Sequence, residues 1–349
     1  MNFYQNAVIF GGGGYIAAFF ADALLANNVV GELYLADIRD PKRYAWSQRV
    51  HDAEAAGIVK FIQLDVRNIE EYSKLPQQMN LIANFAAVHR EPGHEPWEYY
   101  ETNIAGAENV CAWADQIQCR LILFTSSISP YGTSPLPRYE NSLPVPITAY
   151  GGSKLVAEKI HEGWFKADPN NKRLIIVRPG VVYGPAEDGN VPRLIKAVVG
   201  RYFIFTGNRN TSKAGGYVKE LANTMIWTID LVAQGKQNYI RYNFSMPNPP
   251  TMQDYVNTIC KTVNIKRFVP SVPFSLIYNL SLVMFLFGKL FGIKHPFDPI
   301  RIKKLVVSSP VVPQFLLDNG YQFKYDLESA FADWYADRPE DWIKPSKES

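Results

Sequence analysis

Through residue 180 the chain alternates short apolar runs with longer stretches whose apolar positions recur every three or four residues. The runs at Ala7–Phe10, Glu32–Ala36, Val59–Leu64, Leu81–Phe85, Arg120–Thr125 and Leu174–Arg178 have the length of buried strands. The stretches near Gly14–Ala26, Tyr44–Ala55, Trp97–Gln118 and Tyr150–Lys166 have helical spacing. Regular strand–helix order predicts an α/β fold of Rossmann type, a doubly wound parallel sheet with helices on both faces. Ligands of such sheets sit at the carboxyl ends of the strands. After Pro179 proline and glycine become frequent and strands are harder to place. The expected organisation is a sheet domain over residues 1–180 and a smaller C-terminal lobe over 181–349. From about Asp337 the chain is charged and reads as a surface tail.

Bulk composition narrows the function classes. With 349 residues, 47% of them hydrophobic, the chain has material for a sizeable core. Lys and Arg number 36 against 33 acids, a net +3 without a long basic run, so nothing points to nucleic acid. Cys111, Cys119 and Cys260 show no metal-type spacing, so no metal site is expected, and their odd number suits a reducing compartment. A strand predicted a few residues after Met1 leaves no room for a signal peptide, so a cytoplasmic location is expected. One segment complicates this. Phe274–Ile293 is about as long as a membrane span but contains Asn279, Ser281 and Lys289. It reads as a helix or helix pair on the protein's own core, or as a surface patch for a partner subunit or peripheral membrane contact.

Ala7–Phe10 runs directly into Gly11-Gly12-Gly13-Gly14-Tyr15-Ile16-Ala17. Glycines let the backbone turn tightly and approach a pyrophosphate, and the helix beginning there offers unpaired N–H groups and a positive dipole end. The next predicted strand ends Leu35-Ala36-Asp37, where an acid can hydrogen-bond a ribose diol. An acid here repels a 2′-phosphate and favours NAD. Arg39, two residues on, is of the type that accommodates that phosphate, so NADP stays open.

Tyr150 and Lys154 share a face of a predicted helix. A free tyrosine titrates near 10, too high for a base at neutral pH, and a neighbouring cation lowers it. Tyr150 could then exchange a hydroxyl proton during hydride transfer, with Lys154 also holding the nicotinamide ribose. Y-x-x-x-K alone arises by chance in many helices. Here a hydroxyl cluster, Thr125-Ser126-Ser127-Ile128-Ser129, precedes it at a strand's carboxyl end.

Taken in order, GGGGYIA, Asp37, Asp65-Val66, Asn84-Phe85-Ala86-Ala87, Asn103-Ile104-Ala105-Gly106, TSSISPYG, YGGSK and Arg178-Pro179-Gly180-Val181-Val182-Tyr183-Gly184-Pro185 resemble one family. It is the extended short-chain dehydrogenase/reductase family, in its NAD-dependent nucleotide-sugar epimerase/dehydratase branch. The resemblance implies Ser127, Tyr150 and Lys154 as the catalytic triad. It implies a cofactor site from Gly11, Gly14, Tyr15, Ile16, Asp37, Asp65, Val66, Ala86, Ala87, Asn103, Tyr150, Lys154, Pro179 and Val182. Asp65 and Val66 would border the adenine, and Pro179–Val182 would cover the nicotinamide and begin the substrate lobe. It also implies a homodimer joined through the helices at Trp97–Gln118 and Tyr150–Lys166. Sugar dehydratases of the branch carry an acidic pair after the strand-end threonine. Ser126 and Ser127 stand there instead, which disfavours dehydration. The family's phosphate-holding motif is blurred here, leaving Arg209 or Lys213 for a diphosphate. His89, on the loop after Ala87, is a further candidate for substrate contact.

The function expected from this set is NAD-dependent epimerisation of a nucleotide-diphospho-sugar through a transient keto sugar. A net keto-sugar reductase or an alcohol dehydrogenase, sterol-type included, uses the same triad. A non-catalytic NAD-binding scaffold is the third reading, which retention of all three triad residues disfavours.

Overall fold

The computed structural model describes residues 4–91, 93–276, 278–279, 308 and 310–343. Its strands are β1 (Tyr4–Phe10), β2 (Val30–Asp37), β3 (Val59–Gln63), β4 (Leu81–Asn84), β5 (Leu121–Thr125), β6 (Arg173–Pro179), β7 (Val181–Tyr183), β8 (Phe205–Thr206), β9 (Gly215–Tyr217), β10 (Tyr239–Phe244) and β11 (Ser271–Val272). Its helices are α1 (Tyr15–Ala26), α2 (Gln48–Ala55), α3 (Pro96–Gln116), α4 (Ala149–Ala167), α5 (Asn190–Val199), α6 (Val218–Ala233), α7 (Met252–Thr262), α8 (Gln314–Asp318) and α9 (Leu327–Asp337).

Seven strands form one sheet in the order β10-β6-β5-β4-β1-β2-β3, and every pairing is parallel. The α/β, doubly wound fold expected from the alternation is the fold observed. Period-two alternation decides which helices each strand meets. Ala7 and Ile9 of β1 face one core, with α1 and α6, while Val8 and Phe10 face the other, with α3 and α4. In β6, Ile175 and Val177 join the first core, and Leu174 and Ile176 join the second.

The chain beyond Pro179 serves both parts of the molecule. Helix α6 covers the first core and β10 extends the sheet beside β6, with Tyr239 opposite Leu174 and Phe244 opposite Pro179. The remaining elements enclose an aromatic core of their own. Tyr183, Tyr217, Tyr255, Phe331, Trp334 and Trp342 meet there, the Trp334 ring 6.4 Å from Tyr183 and 5.6 Å from Trp342. Glu220 of α6 ties the C-terminal segment down, accepting from the Tyr321 hydroxyl and from Lys324 N (2.9 Å) and Tyr325 N (2.7 Å).

Of the apolar segment Phe274–Ile293, residues 277 and 280–293 lie outside the described residues. No helix among the described residues is long and apolar enough to cross a membrane.

Trp334 is fully buried. Trp334→Ala is expected to lower stability by about 3–5 kcal/mol, measured by denaturant unfolding, because the surrounding rings cannot close over the space left.

Candidate active site

At the end of β1 the backbone turns sharply. Gly11 N and Gly12 N both donate to Ala36 O (2.9 and 3.1 Å), and Gly14 N donates to Gly11 O (3.0 Å). Gly11 has φ +77°, and a β-carbon there would sit 2.6 Å from Ala86 N. That backbone conformation and closeness admit only glycine. Helix α1 begins behind Gly14 with no side-chain cap and no acid in its first turn. Its first N–H groups and dipole end therefore stay available for an anion. Asp37 closes the turn, Oδ2 accepting from Gly13 N and Oδ1 from Arg39 N, both at 3.0 Å. A carboxylate has about four lone-pair sites, so about two remain for a ribose diol.

The other cofactor candidates surround this loop. Ile16 is half-buried on the first core, and Tyr15 carries a buried hydroxyl without a partner among the described residues. Asp65 pairs with Arg67 (2.7 Å), and Val66 is pressed beneath α3, where a β-carbon on Gly106 would lie 2.9 Å from Val66 Cγ1. Ala86 and Ala87 are half-buried just after β4. Asn103 fixes that loop: its Oδ1 accepts from Val88 N (2.9 Å), and its Nδ2 donates to Val88 O (3.2 Å) and Ser153 Oγ (2.9 Å). Ser153 Oγ in turn donates to Tyr150 O (2.9 Å), so Asn103 links the loop to the start of α4.

Beyond their ends, β5 and β6 stay joined. Ser126 N donates to Val177 O (2.8 Å) and Ile128 N to Pro179 O (3.1 Å). This places Ser127, which is buried, against the first turn of α4, with its hydroxyl near enough to the Tyr150 phenol to favour the phenolate, while it donates to Ser129 Oγ (3.2 Å) and accepts from Ser129 N (3.1 Å). Helix α4 starts there because Thr148 caps it, its hydroxyl accepting from Gly151 N (3.1 Å). Lys154 follows one turn later, its Nζ 4.3 Å from the centre of the Phe124 ring. Burial pushes the Tyr150 phenol up to about 12, and the Ser127 hydrogen bond opposes it. Burial pulls Lys154 down to about 7, and Glu158 opposes it. The structure thus sets Ser127 beside Tyr150, with Lys154 one helical turn further along α4.

The candidates beyond Pro179 have other surroundings. Val182 is half-buried in β7, opposite Gly216 of β9. Arg209 lies between β8 and β9 with its guanidinium 5.0 Å from the Phe205 ring centre, and Lys213 is half-buried just before β9. His89 is exposed on the loop after Ala87.

Two features escaped the sequence reading. Asn84 Oδ1, Thr125 Oγ1 and Ser126 Oγ, at the ends of the adjacent strands β4 and β5, are buried without partners among the described residues. Orphaned polar atoms there, beside the glycine turn, fit a polar cofactor that completes their hydrogen bonds. Below them lies a buried ion pair. Arg178 Nε and Nη2 bond Glu158 Oε1 (2.8 Å) and Oε2 (2.5 Å), and Nη1 donates to the Tyr131 hydroxyl (2.7 Å). The detectable signal was a charge in each of two buried faces, Arg178 in Leu-Ile-Ile-Val-Arg and Glu158 one turn after Lys154.

Arg178→Met should destabilise the protein by about 3–5 kcal/mol in denaturant unfolding, because Glu158 is left buried and unpaired. The double variant Arg178→Met/Glu158→Leu should recover most of that loss. Asp37→Ala should weaken NAD binding about tenfold or more by calorimetry, the loss of a charge-assisted hydrogen bond.

Residues 7–243 match the model of a family described as "NAD dependent epimerase/dehydratase family". Among named relatives, the N-acetyl-alpha-D-glucosaminyl-diphospho-ditrans,octacis-undecaprenol 4-epimerase of Escherichia coli O157:H7 is 27% identical, over 75% of this chain and 78% of its own. Human short-chain dehydrogenase/reductase family 42E member 1 is 23% identical over 95% of this chain and 87% of its own. The solved UDP-glucuronic acid 4-epimerase from Bacillus cereus, in complex with NAD, superimposes with a TM-score of 0.73 at 18% identity. That alignment covers 97% of this chain and all of the other, and it speaks for the fold alone. With its glycine turn, its strand-end acid and a family match over most of its length, the chain belongs to the NAD-dependent epimerase/dehydratase family.

Proposed function

We propose that this enzyme is a 4-epimerase of a sugar carried on a diphosphate, in the first place a nucleotide-diphospho-sugar, acting through a transient keto sugar. The observation that carries the proposal is the Ser127 hydroxyl set beside the Tyr150 phenol, with Lys154 one turn on, at the strand edge that holds the glycine turn. The relatives named as 4-epimerases support the carbon. The absence of an acidic pair after Thr125 argues against dehydration.

Held by the glycine turn and Asp37, NAD would supply a reversible hydride acceptor. The chain's own task is to manage one proton. Tyr150 takes the proton of the sugar hydroxyl as the hydrogen on the same carbon departs as hydride, leaving a ketone. Ser127 holds the sugar oxygen and Lys154 supplies positive charge beside the phenol. The keto sugar turns, hydride returns to the opposite face, and Tyr150 gives the proton back. No net redox change results. Arg209 and Lys213 are proposed to hold the diphosphate, and His89 to meet the sugar. A homodimer through α3 and α4 completes this reading.

A second reading changes only the carrier. The Escherichia coli relative acts, by its name, on a sugar diphosphate linked to undecaprenol. In this chain Phe268, shortly before the apolar stretch Phe274–Ile293, is 82% exposed, and Leu276, near its start, is 62% exposed. A lipid carrier and a peripheral membrane contact both suit that composition.

The test offers N-acetylglucosamine on uridine diphosphate and on undecaprenyl diphosphate in detergent. The epimer should form from one of them with the nicotinamide absorbance unchanged at steady state. Net consumption of NADH by a keto sugar, without an isomer, would make the enzyme a reductase. Tyr150→Phe should lower kcat about 10²–10⁴-fold. Undiminished biological activity of that variant would return the chain to the scaffold reading.

A further inference from the structure

The triad accounts for Tyr150, Ser127 and Lys154 but not for what lies under Lys154. This lysine is 1% exposed, and its Nζ makes no hydrogen bond among the described residues. A buried ammonium is costly unless something replaces the lost water. What faces it at close range is the Phe124 ring, 4.3 Å away. The other side of that ring is occupied. His161, two turns further along α4, stacks on Phe124 with ring centres 4.1 Å apart and planes 17° from parallel. Two groups this close to the ring centre require opposite faces, so Phe124 is held between lysine and histidine.

The histidine is itself locked. His161 Nδ1 lies 2.7 Å from Ala157 O and Nε2 lies 3.3 Å from Asn84 Nδ2. A carbonyl can only accept, so Nδ1 carries the hydrogen. Nε2 is then bare and accepts from the Asn84 amide. Burial holds His161 at about 4, so this neutral tautomer persists at neutral pH. Asn84 ends β4, just before the cofactor-lining Ala86 and Ala87.

We propose that Phe124 is the positioning residue that keeps Lys154 charged and in place, with His161 as its neutral back wall and Asn84 fixing the histidine. A π face attracts a desolvated cation and leaves its position above the ring free of a directional carboxylate. The neighbouring ionisable groups are mostly engaged elsewhere. Glu158 favours the charged lysine from one turn away but gives both oxygens to Arg178, His161 is neutral, Tyr150 stands beside Ser127, and His89 comes from the loop after β4.

The test reads Lys154 directly and needs no substrate. The full-length, NAD-loaded protein carries ¹³C at the lysine ε-carbon, and the Lys154 resonance is assigned by its loss in Lys154→Arg. Phe124→Leu should lower the Lys154 titration midpoint by about one pH unit, because the charged form loses its attraction to the ring. Phe124→Tyr should keep the wild-type midpoint. Progressive fluorination of Phe124 preserves shape while draining the π face, so the midpoint should fall stepwise with each added fluorine. That series also covers a Phe124→Leu variant that does not fold. His161→Leu should lower the midpoint less, and His161→Phe should restore it. A midpoint unmoved across the fluorinated series overturns the proposal. Failure to find an epimerised product leaves this result unaffected, because the titration is read without one.

Discussion

Two opposite charges are buried together under the working edge of the sheet. Arg178, 1% exposed, is the last residue but one of β6, and Glu158, fully buried, lies on α4. Neither tolerates loss of the other, because an unpaired charge in the interior costs several kcal/mol while the matched, doubly hydrogen-bonded pair is self-sufficient. Their bond therefore sets where α4 lies on the sheet. The third arm of Arg178 reaches the Tyr131 hydroxyl, which donates to Asn243 Oδ1 on β10 (2.8 Å). Tyr131 lies at the end of the loop that carries Ser127. One guanidinium thus registers the helix of Tyr150, the loop of Ser127 and the sheet edge against each other. The 180–349 half of the chain joins the same network, since Asn243 Nδ2 donates to Val312 O (3.0 Å) and Ser245 Oγ to Val311 O (2.6 Å).

That network also explains what could be seen in the sequence and what could not. The six strands read from apolar runs are all present; five are interior strands of a parallel sheet, buried on both faces and therefore largely apolar, and the edge strand β3 was read from Val59, Phe61 and Ile62. The seventh, Tyr-Ile-Arg-Tyr-Asn-Phe, was illegible for the complementary reason. Arg241 and Asn243 interrupt it, and each is spoken for. Arg241 pairs with Glu162 of α4 (3.1 Å), and Asn243 serves Tyr131 and Val312. An edge strand can carry such residues because its contacts are made with particular partners rather than with an apolar layer. Partners about seventy to a hundred and ten residues away leave no local trace.

The candidate site divides along the same line. Gly11, Asp37 and Tyr150 were legible because each is demanded by a local geometry: a positive φ, a strand end, a helix start. Asn103, Phe124 and His161 act through contacts across elements, and their roles emerge only once α3, β5 and α4 are side by side. The second-lobe candidates Arg209 and Lys213 were read from a blurred motif. Their surroundings, an aromatic ring and a half-buried loop, follow from packing that no spacing encodes.

Burial works against this site: it is the largest influence holding Tyr150 up at about 12 and Lys154 down at about 7, each away from its charged form, with Ser127 and Glu158 already opposing it. A direct carboxylate partner would keep Lys154 charged but would also consume that charge locally, leaving little potential for the phenol. The arrangement avoids this. Glu158 stands one turn from Lys154 and favours its protonation, yet both of its oxygens are taken up by Arg178. Arg178 answers most of that carboxylate's charge, and the ammonium rests on an aromatic face that offers no proton acceptor. On the proposed function, Lys154 would hold its charge without a counter-ion of its own, the condition for lending that charge to Tyr150 as a hydroxyl proton moves.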